Sequence, residues 1–454
     1  MSIKNFLDES KFNNFHLKLL LWCVFIITLE GYNLAVYGSI IPLIMKEWTL
    51  SPTDLGVIGS YGIFGLMSGA IVLSPFSEKF GHKKVLIFSF VSYTVFITIS
   101  AFAPNAQIFA WCRFLGGIGF GGALPITVGL LSEYAPKTIK NVAITLALCG
   151  YQFGGILAPL MGIVFIPITG WRSIIWFAAI PLLLLPILIK SIPESARFLI
   201  KRGEFAELES TLAKIDANYK NRITDEEYKL YDKNEAALEE NNGKVPLIAL
   251  FKNNLALSTV LFCIMYFMGI LVINFLITWL PGLMVYQGLS LSLGLYVSIF
   301  LNVGTVIGTV AWSTYADRKG LSKKLLILLY ILGAASLGFM GMPSNVIILF
   351  LLIALTGFFF FAAHSLLSAF VSQYYPDNVR STGVGFGLGI GQLGGVIAPT
   401  LGGALIAYDV PISSCFMLFA LPGIICTIAL LIVKKKSKVV TVNPAQSNIS
   451  PAKT

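Results

Sequence analysis

The sequence predicts an all-α membrane protein: twelve transmembrane helices in two pseudo-symmetric six-helix bundles. Three observations lead there. The 454-residue chain is 56% hydrophobic and only 12% charged, against roughly 25% charge in an ordinary soluble domain. Apolar runs near the ~20 residues that a membrane helix needs recur twelve times, six before and six after one long polar stretch. Finally, 132–162 is repeated without a gap at 372–402: Ser132, Tyr134, Pro136, Gln152, Gly154, Gly155, Ala158, Pro159 and Gly162 return as Ser372, Tyr374, Pro376, Gln392, Gly394, Gly395, Ala398, Pro399 and Gly402. Internal duplication in a membrane chain is the usual mark of a transporter with its site between the halves.

The elements follow in order. The first run, 17–41, is closed by Pro42 and carries Glu30, Asn33 and Tyr37, whose spacings of three and four place them on one helical face. The second, 54–76, leads into the polar loop Glu78-Lys79-Phe80-Gly81, with Lys83 and Lys84 behind it. The runs 85–103 and 107–131 come next, the latter rich in glycine (Gly116, Gly117, Gly119, Gly121, Gly122) and holding Arg113. Glycines there let helix backbones touch in lipid, where packing replaces the hydrophobic drive. The runs 142–166, with Gln152, and 172–192 complete an N-terminal bundle over 1–192. Residues 193–252 are rich in Lys, Glu, Asp and Asn and read as a cytoplasmic linker. Phe198, Leu199, Phe205, Leu208, Leu212 and Ile215 give it short helices with an apolar stripe.

The second bundle, 253–433, repeats the plan. Its run 255–280 contains Asn274 and is closed by Pro281, and 291–313 contains Asn302. The loop Asp317-Arg318-Lys319-Gly320 then answers the earlier Glu78 loop, with Lys323 and Lys324 in the places of Lys83 and Lys84. The runs 325–342, 345–371 with His364, 381–407 with Gln392 and five alternating glycines, and 412–433 finish the set. The tail 434–454, with its prolines and small polar residues, is expected to be disordered.

The net charge of +10 is placed against a nucleic-acid role. Lys and Arg gather in the N-terminal tail, at 79–84, 137–140, 190–252, 318–324, Arg380 and the residues after Val433, while the opposite loops hold only Lys46 and Arg172. Positive residues mark the cytoplasmic side, so both termini are expected there. The first run is too long for a cleavable leader and carries Glu30 mid-span. Six cysteines, all in apolar runs and without ligand spacing, read as packing residues, so no metal or disulfide is expected. The Gly-rich runs lack the strand and the Lys-Ser/Thr of a phosphate loop.

The chemistry rests on a few intramembrane polar groups. A carboxylate at the depth of Glu30 costs about 2.5–3.5 kcal/mol on insertion scales, which a proton-carrying or substrate-contacting role, or a structural ion pair, would explain. Arg113 cannot release its proton and its planar fork suits a carboxylate, so it is expected either to hold a substrate anion or to pair with Glu30. Asn33 and Tyr37, on the face of Glu30, and His364, Gln152, Gln392 and Asn274 are candidates for the same cavity, with interhelical hydrogen bonding as the alternative for the amides. Glu78, Lys79, Gly81, Glu133, Asp317, Arg318, Gly320 and Arg380 form the candidate gating set on the cytoplasmic face, where acid and base would latch one half to the other.

The doubled loop, which approximates Gly-x-Leu-x-Asp-Arg-x-Gly-Arg-Lys, together with Arg113-Phe-Leu-Gly-Gly-Ile-Gly and Pro193-Glu194-Ser195, resembles the major facilitator superfamily. More narrowly the chain is similar to bacterial aromatic acid:proton symporters of the benzoate and hydroxybenzoate type. The likeness is carried by Glu30-Gly31-Tyr32-Asn33-Leu34-Ala35-Val36-Tyr37-Gly38, Ser132-Glu133-Tyr134-Ala135-Pro136-Lys137, Thr278-Trp279-Leu280-Pro281 and Tyr375-Pro376-Asp377-Asn378-Val379-Arg380. Two departures touch specificity. Glu30 and Asn33 stand in the two acid positions of the family's Asp-Gly-Tyr-Asp, and Gln392 stands where Gly-x-Gly-Arg-x-Gly has arginine. The resemblance implies a monomeric, cofactor-free carrier in the bacterial inner membrane with the proton as coupling ion and a small organic acid as substrate. It likewise implies no enzyme and no nucleic-acid partner, with the lipid bilayer as the expected surroundings. Export, another acid such as nicotinate or muconate, and a non-transporting sensor are the alternatives.

Overall fold

The computed structural model describes residues 3–216, 218–219, 247–252, 255–342, 345–376 and 379–433, and these are helical almost throughout. The expected disordered tail, linker residues 217 and 220–246, and Asp377-Asn378 lie outside the described residues. A short helix α1 (Ile3–Glu9) precedes α2 (Asn14–Trp48), α3 (Pro52–Phe80), α4 (His82–Ser100), the pair α5 (Ala106–Gly121) and α6 (Ala123–Tyr134), and α7 (Lys140–Thr169). The sixth span is broken into α8 (Arg172–Trp176), α9 (Ile180–Leu183) and α10 (Leu185–Ser191), with a bend of 45° before the last. Linker helices α11 (Ala196–Arg202) and α12 (Phe205–Ile215) follow. The second half contains α13 (Ala256–Tyr286), α14 (Leu291–Lys319), α15 (Lys323–Phe339), α16 (Val346–Thr356), α17 (Ala362–Tyr374), α18 (Arg380–Ala407) and α19 (Ile412–Ile432).

Ten of these spans are long and apolar enough to cross a membrane, and the bent sixth makes eleven. The twelfth is α15, whose 17 residues cover about 25 Å at 1.5 Å per residue. Two expected ends move outward. Pro42 and Pro281 do not close their spans but sit inside α2 and α13, which continue to Trp48 and Tyr286. Membrane helices tolerate proline because neighbouring helices and side chains re-satisfy the freed backbone groups.

Close glycine seams assemble each half. A Cβ on Gly117 would strike the carbonyl of Gly62, and one on Gly121 the carbonyl of Leu66, so α3 and α5 touch backbone to backbone. In α18 only part of the glycine series does this: Gly387, Gly391 and Gly394 press on α13, whereas Gly385 and Gly389 stand beside open space. Gly81 and Gly320 end α3 and α14 at φ of 103° and 83°, a turn that a side chain would strain. The duplicated loop motif is thus duplicated in backbone conformation.

The two halves meet at equivalent points of the repeat. Asn302 of α14 donates to the carbonyl of Gly155 in α7 at 3.2 Å, and Ser60 of α3 donates to the carbonyl of Val396 in α18, one residue past Gly395. Gly38 abuts the carbonyls of Ile277 and Thr278, and Gly56 that of Pro399. All of these lie between mid-span and the face that carries Glu47 and Arg172, which form an ion pair at 2.6 Å.

The other face carries α1 and most of the Lys and Arg, and contacts there knit each half. Lys140 pairs with Asp8 at 3.2 Å, Arg202 donates to the carbonyl of Lys79 at 3.0 Å, and Lys323 donates to the carbonyls of Leu431 and Val433. The linker helices bury Phe198, Leu199, Leu208, Leu212 and Ile215, while Phe205 is exposed. Asn13 caps α2 through the N–H groups of Phe15 and His16. Its amide also donates to the carbonyls of Lys214 and Ile215 at the end of α12. Asn13→Ala is therefore expected to cost about 1–2 kcal/mol, near the upper end for a lost cap. Thermal unfolding in detergent measures this, and a melting point within error of wild type would show the cap to be dispensable.

Candidate functional site

Between the halves lies a cavity of about 550 Å³. Its lining reaches from Glu30, Ile277 and Asn302 at mid-span to Thr145, Ser313, Ala369 and Leu388 toward the basic face. Because the halves touch on the other side, the cavity opens toward the basic face.

Five of the eight candidate substrate or proton residues line it: Glu30 and Gln152 from the first half, and Asn274, His364 and Gln392 from the second. Aliphatic side chains make most of the remaining wall, among them Ile27, Leu34, Ile63, Leu66, Ile270 and Ile273. Glu30 is buried, and its Oε2 has no hydrogen-bond partner. Asn274 bonds back to the Ile270 carbonyl at 3.0 Å. The equivalent glutamines of the repeat, Gln152 and Gln392, thus reach one cavity from opposite halves, as the duplication requires.

The other three candidates sit elsewhere. Asn33 is buried without lining the cavity. Tyr37 is turned into its own half, where its hydroxyl donates to the Leu55 carbonyl. Arg113 neither lines the cavity nor pairs with Glu30. Among the described residues it forms no ion pair, and its guanidinium lies 4.2 Å from the Tyr37 ring centre and 5.9 Å from that of Phe109. It fits against Gly62, where a Cβ would come within 3.0 Å of Nη2. The physical reason is the choice of partner: a desolvated guanidinium gains up to ~2 kcal/mol on an aromatic face, and both rings are within reach. Among the described residues, no Lys or Arg lines the cavity.

Several lining residues carried too little sequence signal to be singled out. Tyr151 sits beside Gln152, and Thr145, Thr309, Ser313 and Ser368 are hydroxyls in apolar helices. Such hydroxyls commonly bond back to their own helix, as Thr305 does to Leu301, so type and spacing alone do not separate cavity from core.

The gating candidates also divide. Glu78, Lys79, Asp317, Arg318 and Arg380 are exposed. Glu133 accepts the N–H of Arg197 at 2.7 Å, so it ties α6 to the linker helix rather than half to half. Gly81 packs against Glu194, whose carboxylate accepts from the N–H groups of Lys83 and Ser195 at 3.1 and 3.0 Å. Burial pushes the Glu194 carboxyl above its ordinary range, against those two donors. The six cysteines are free, and no group of metal-binding side chains occurs among the described residues.

Comparison with known proteins places this architecture. The Major Facilitator Superfamily pattern matches residues 23–386 and 301–454. The chain is 32% identical to the benzoate transport protein of Acinetobacter baylyi, covering 96% of this chain and 93% of that one. It is 30% identical to the gallate transporter of Pseudomonas putida, covering 95% and 94%. The xylose transporter XylE from E. coli, in a partially occluded inward-open conformation, superposes with a TM-score of 0.75 at 19% identity, covering 94% of this chain and all of that one. The chain therefore belongs to the Major Facilitator Superfamily and is a multi-span membrane transporter.

Proposed function

We propose that the protein imports a small aromatic carboxylate, benzoate- or hydroxybenzoate-like, together with a proton, by rocking its two halves about the central cavity. The basic face is then cytoplasmic, in a bacterial inner membrane, and the structure corresponds to the state open to the cytoplasm. The observation that carries the reading is an unpaired carboxyl, Glu30, in an aliphatic-walled cavity that also receives amides from both halves. The aliphatic walls suit an aromatic ring, and the amides suit a carboxylate. The names of the relatives, which include benzoate and gallate transporters, point the same way.

Coupling follows from charge. Releasing Glu30 from a pair with Arg113 is not available as a mechanism here, since the two are not paired. Like-charge exclusion replaces it. A substrate carboxylate about 5 Å from an ionised Glu30 would be repelled by roughly 3 kcal/mol at an effective dielectric of 20, about a hundredfold in affinity. A proton on Glu30 removes that repulsion, so anion and proton enter as a pair. Import of labelled benzoate into liposomes should follow an imposed inward proton gradient and be competed by 4-hydroxybenzoate and gallate. Gradient-independent uptake would remove the coupling, and the absence of any aromatic-acid binding would remove the substrate class.

The position of Arg113 yields a further expectation. Arg113→Lys loses the planar stack on Tyr37, worth ~0.5–2 kcal/mol, and should lower the melting temperature. It should weaken benzoate and the uncharged benzamide equally, because the guanidinium does not reach the cavity. A loss confined to the anion would place Arg113 in the binding site.

A further inference from the structure

His364 is held by three features outside the chemistry assigned so far. It follows a π turn, Gly357–Phe361, that separates α16 from α17. One extra residue in that turn rotates everything after it by about 100° relative to a continuous α-helix, which sets the direction in which His364 leaves α17. Its Nδ1 is buried with no hydrogen-bond partner and is seated on Gly269 of α13, where any Cβ would collide with Nδ1 and Cε1. The Tyr266 ring stands edge-on, 5.9 Å away, and its hydroxyl is committed to Ser368 at 3.1 Å. His364 is a lining residue of the cavity, and with Nδ1 buried the Nε2 edge is the one left to face it.

These features determine a tautomer. A proton on Nδ1 would be a buried donor pressed on Gly269 without an acceptor, which is costly, whereas a bare Nδ1 there meets the Gly269 Cα–H, a weak donor. The neutral ring therefore carries its proton on Nε2, the nitrogen left to face the cavity. Since no Lys or Arg lines that cavity among the described residues, the anion must be met by neutral donors.

We propose that His364 orients the substrate carboxylate as a neutral donor through Nε2–H, with Gly269 and the π turn fixing that tautomer. This rests on the reading that the cavity takes an aromatic acid. Tyr266 from α13 stands beside the ring, and among the described residues the other titratable groups lining the cavity are Glu30, Cys149 and Tyr151. None is a cation, so substrate binding gains no imidazolium.

The test uses the geometry of amide mimics: glutamine places its nitrogen near the Nε2 position of histidine, and asparagine near Nδ1. Equilibrium binding of labelled benzoate is measured on purified full-length protein, with monodispersity as the folding check. His364→Asn is expected to lower affinity by about tenfold or more, the scale of a hydrogen bond to a charged group. His364→Gln is expected to stay within about threefold of wild type and to keep its pH profile, since no charge is lost. Gly269→Ala, which displaces the ring without touching the cavity, is expected to behave like His364→Asn. Equal affinities for the Gln and Asn variants would overturn the proposal, as would a His364→Gln pH profile flattened relative to wild type. If wild type itself binds no benzoate or hydroxybenzoate, the aromatic-acid reading fails and takes this one with it. If wild type binds and only the Gln/Asn contrast is missing, this inference alone fails.

Discussion

Replacing Glu30 with glutamine is expected to abolish proton-driven accumulation of substrate, a fall of about a hundredfold or more to background, while substrate exchange continues within about threefold of wild type. The side chain keeps its size and its hydrogen-bonding capacity in the cavity, so binding and rocking persist. What is lost is, among the described residues, the only carboxyl that lines the cavity, and with it the charge that makes anion binding depend on a proton. Uptake by wild type should fall as pH rises and Glu30 ionises, because the ionised form repels the incoming anion. Exchange by Glu30→Gln should show no such fall. Counterflow and gradient-driven uptake in the same liposomes separate the two functions. Undiminished accumulation by the variant would take the proton away from Glu30.

Gly56→Leu should be nearly as damaging, by a different route. Gly56 lies near the start of α3, and a Cβ there would meet the Pro399 carbonyl at 2.5 Å and the Thr400 Cα at 2.8 Å. Both are backbone of the opposite half and cannot yield as a flexible side chain can. Overpacking of this kind costs roughly 1–3 kcal/mol, which would deplete the state closed on the face of Glu47 and Arg172 by about 5–150-fold. Transport should fall accordingly, while binding from the opened side survives. Cys149 lines the cavity that opens to the basic face, so its alkylation from that side should slow in parallel. Faster alkylation, or normal transport, would show that the Gly56 contact does not hold the halves together.

How far the sequence leads differs between fold and site. The repeat of 132–162 at 372–402 announces two copies of one bundle, and the structure returns it as two matching contacts on the carbonyls of Gly155 and Val396. Lipid demands long uninterrupted helices, so span positions are written directly in composition. Proline was misleading, since Pro42 and Pro281 end a helix in water but not inside a bundle. Within the site, Glu30, Gln152, Asn274, His364 and Gln392 were found because a polar group in an apolar run is conspicuous. Tyr37 and Arg113 were equally conspicuous, but the guanidinium lies over the Tyr37 ring outside the cavity.

By itself, then, the sequence determined the number, order and pairing of the helices, the basic face, and which few polar groups must be accounted for. Bilayer insertion is a local matter of hydropathy and length, legible one segment at a time. Only the tertiary structure decided which of those groups share a cavity. It separated Arg113 from Glu30, brought the two repeat glutamines together and turned His364 off Gly269 toward the cavity. A buried polar side chain chooses among all the partners that packing brings within a few ångströms, and that choice belongs to no single helix.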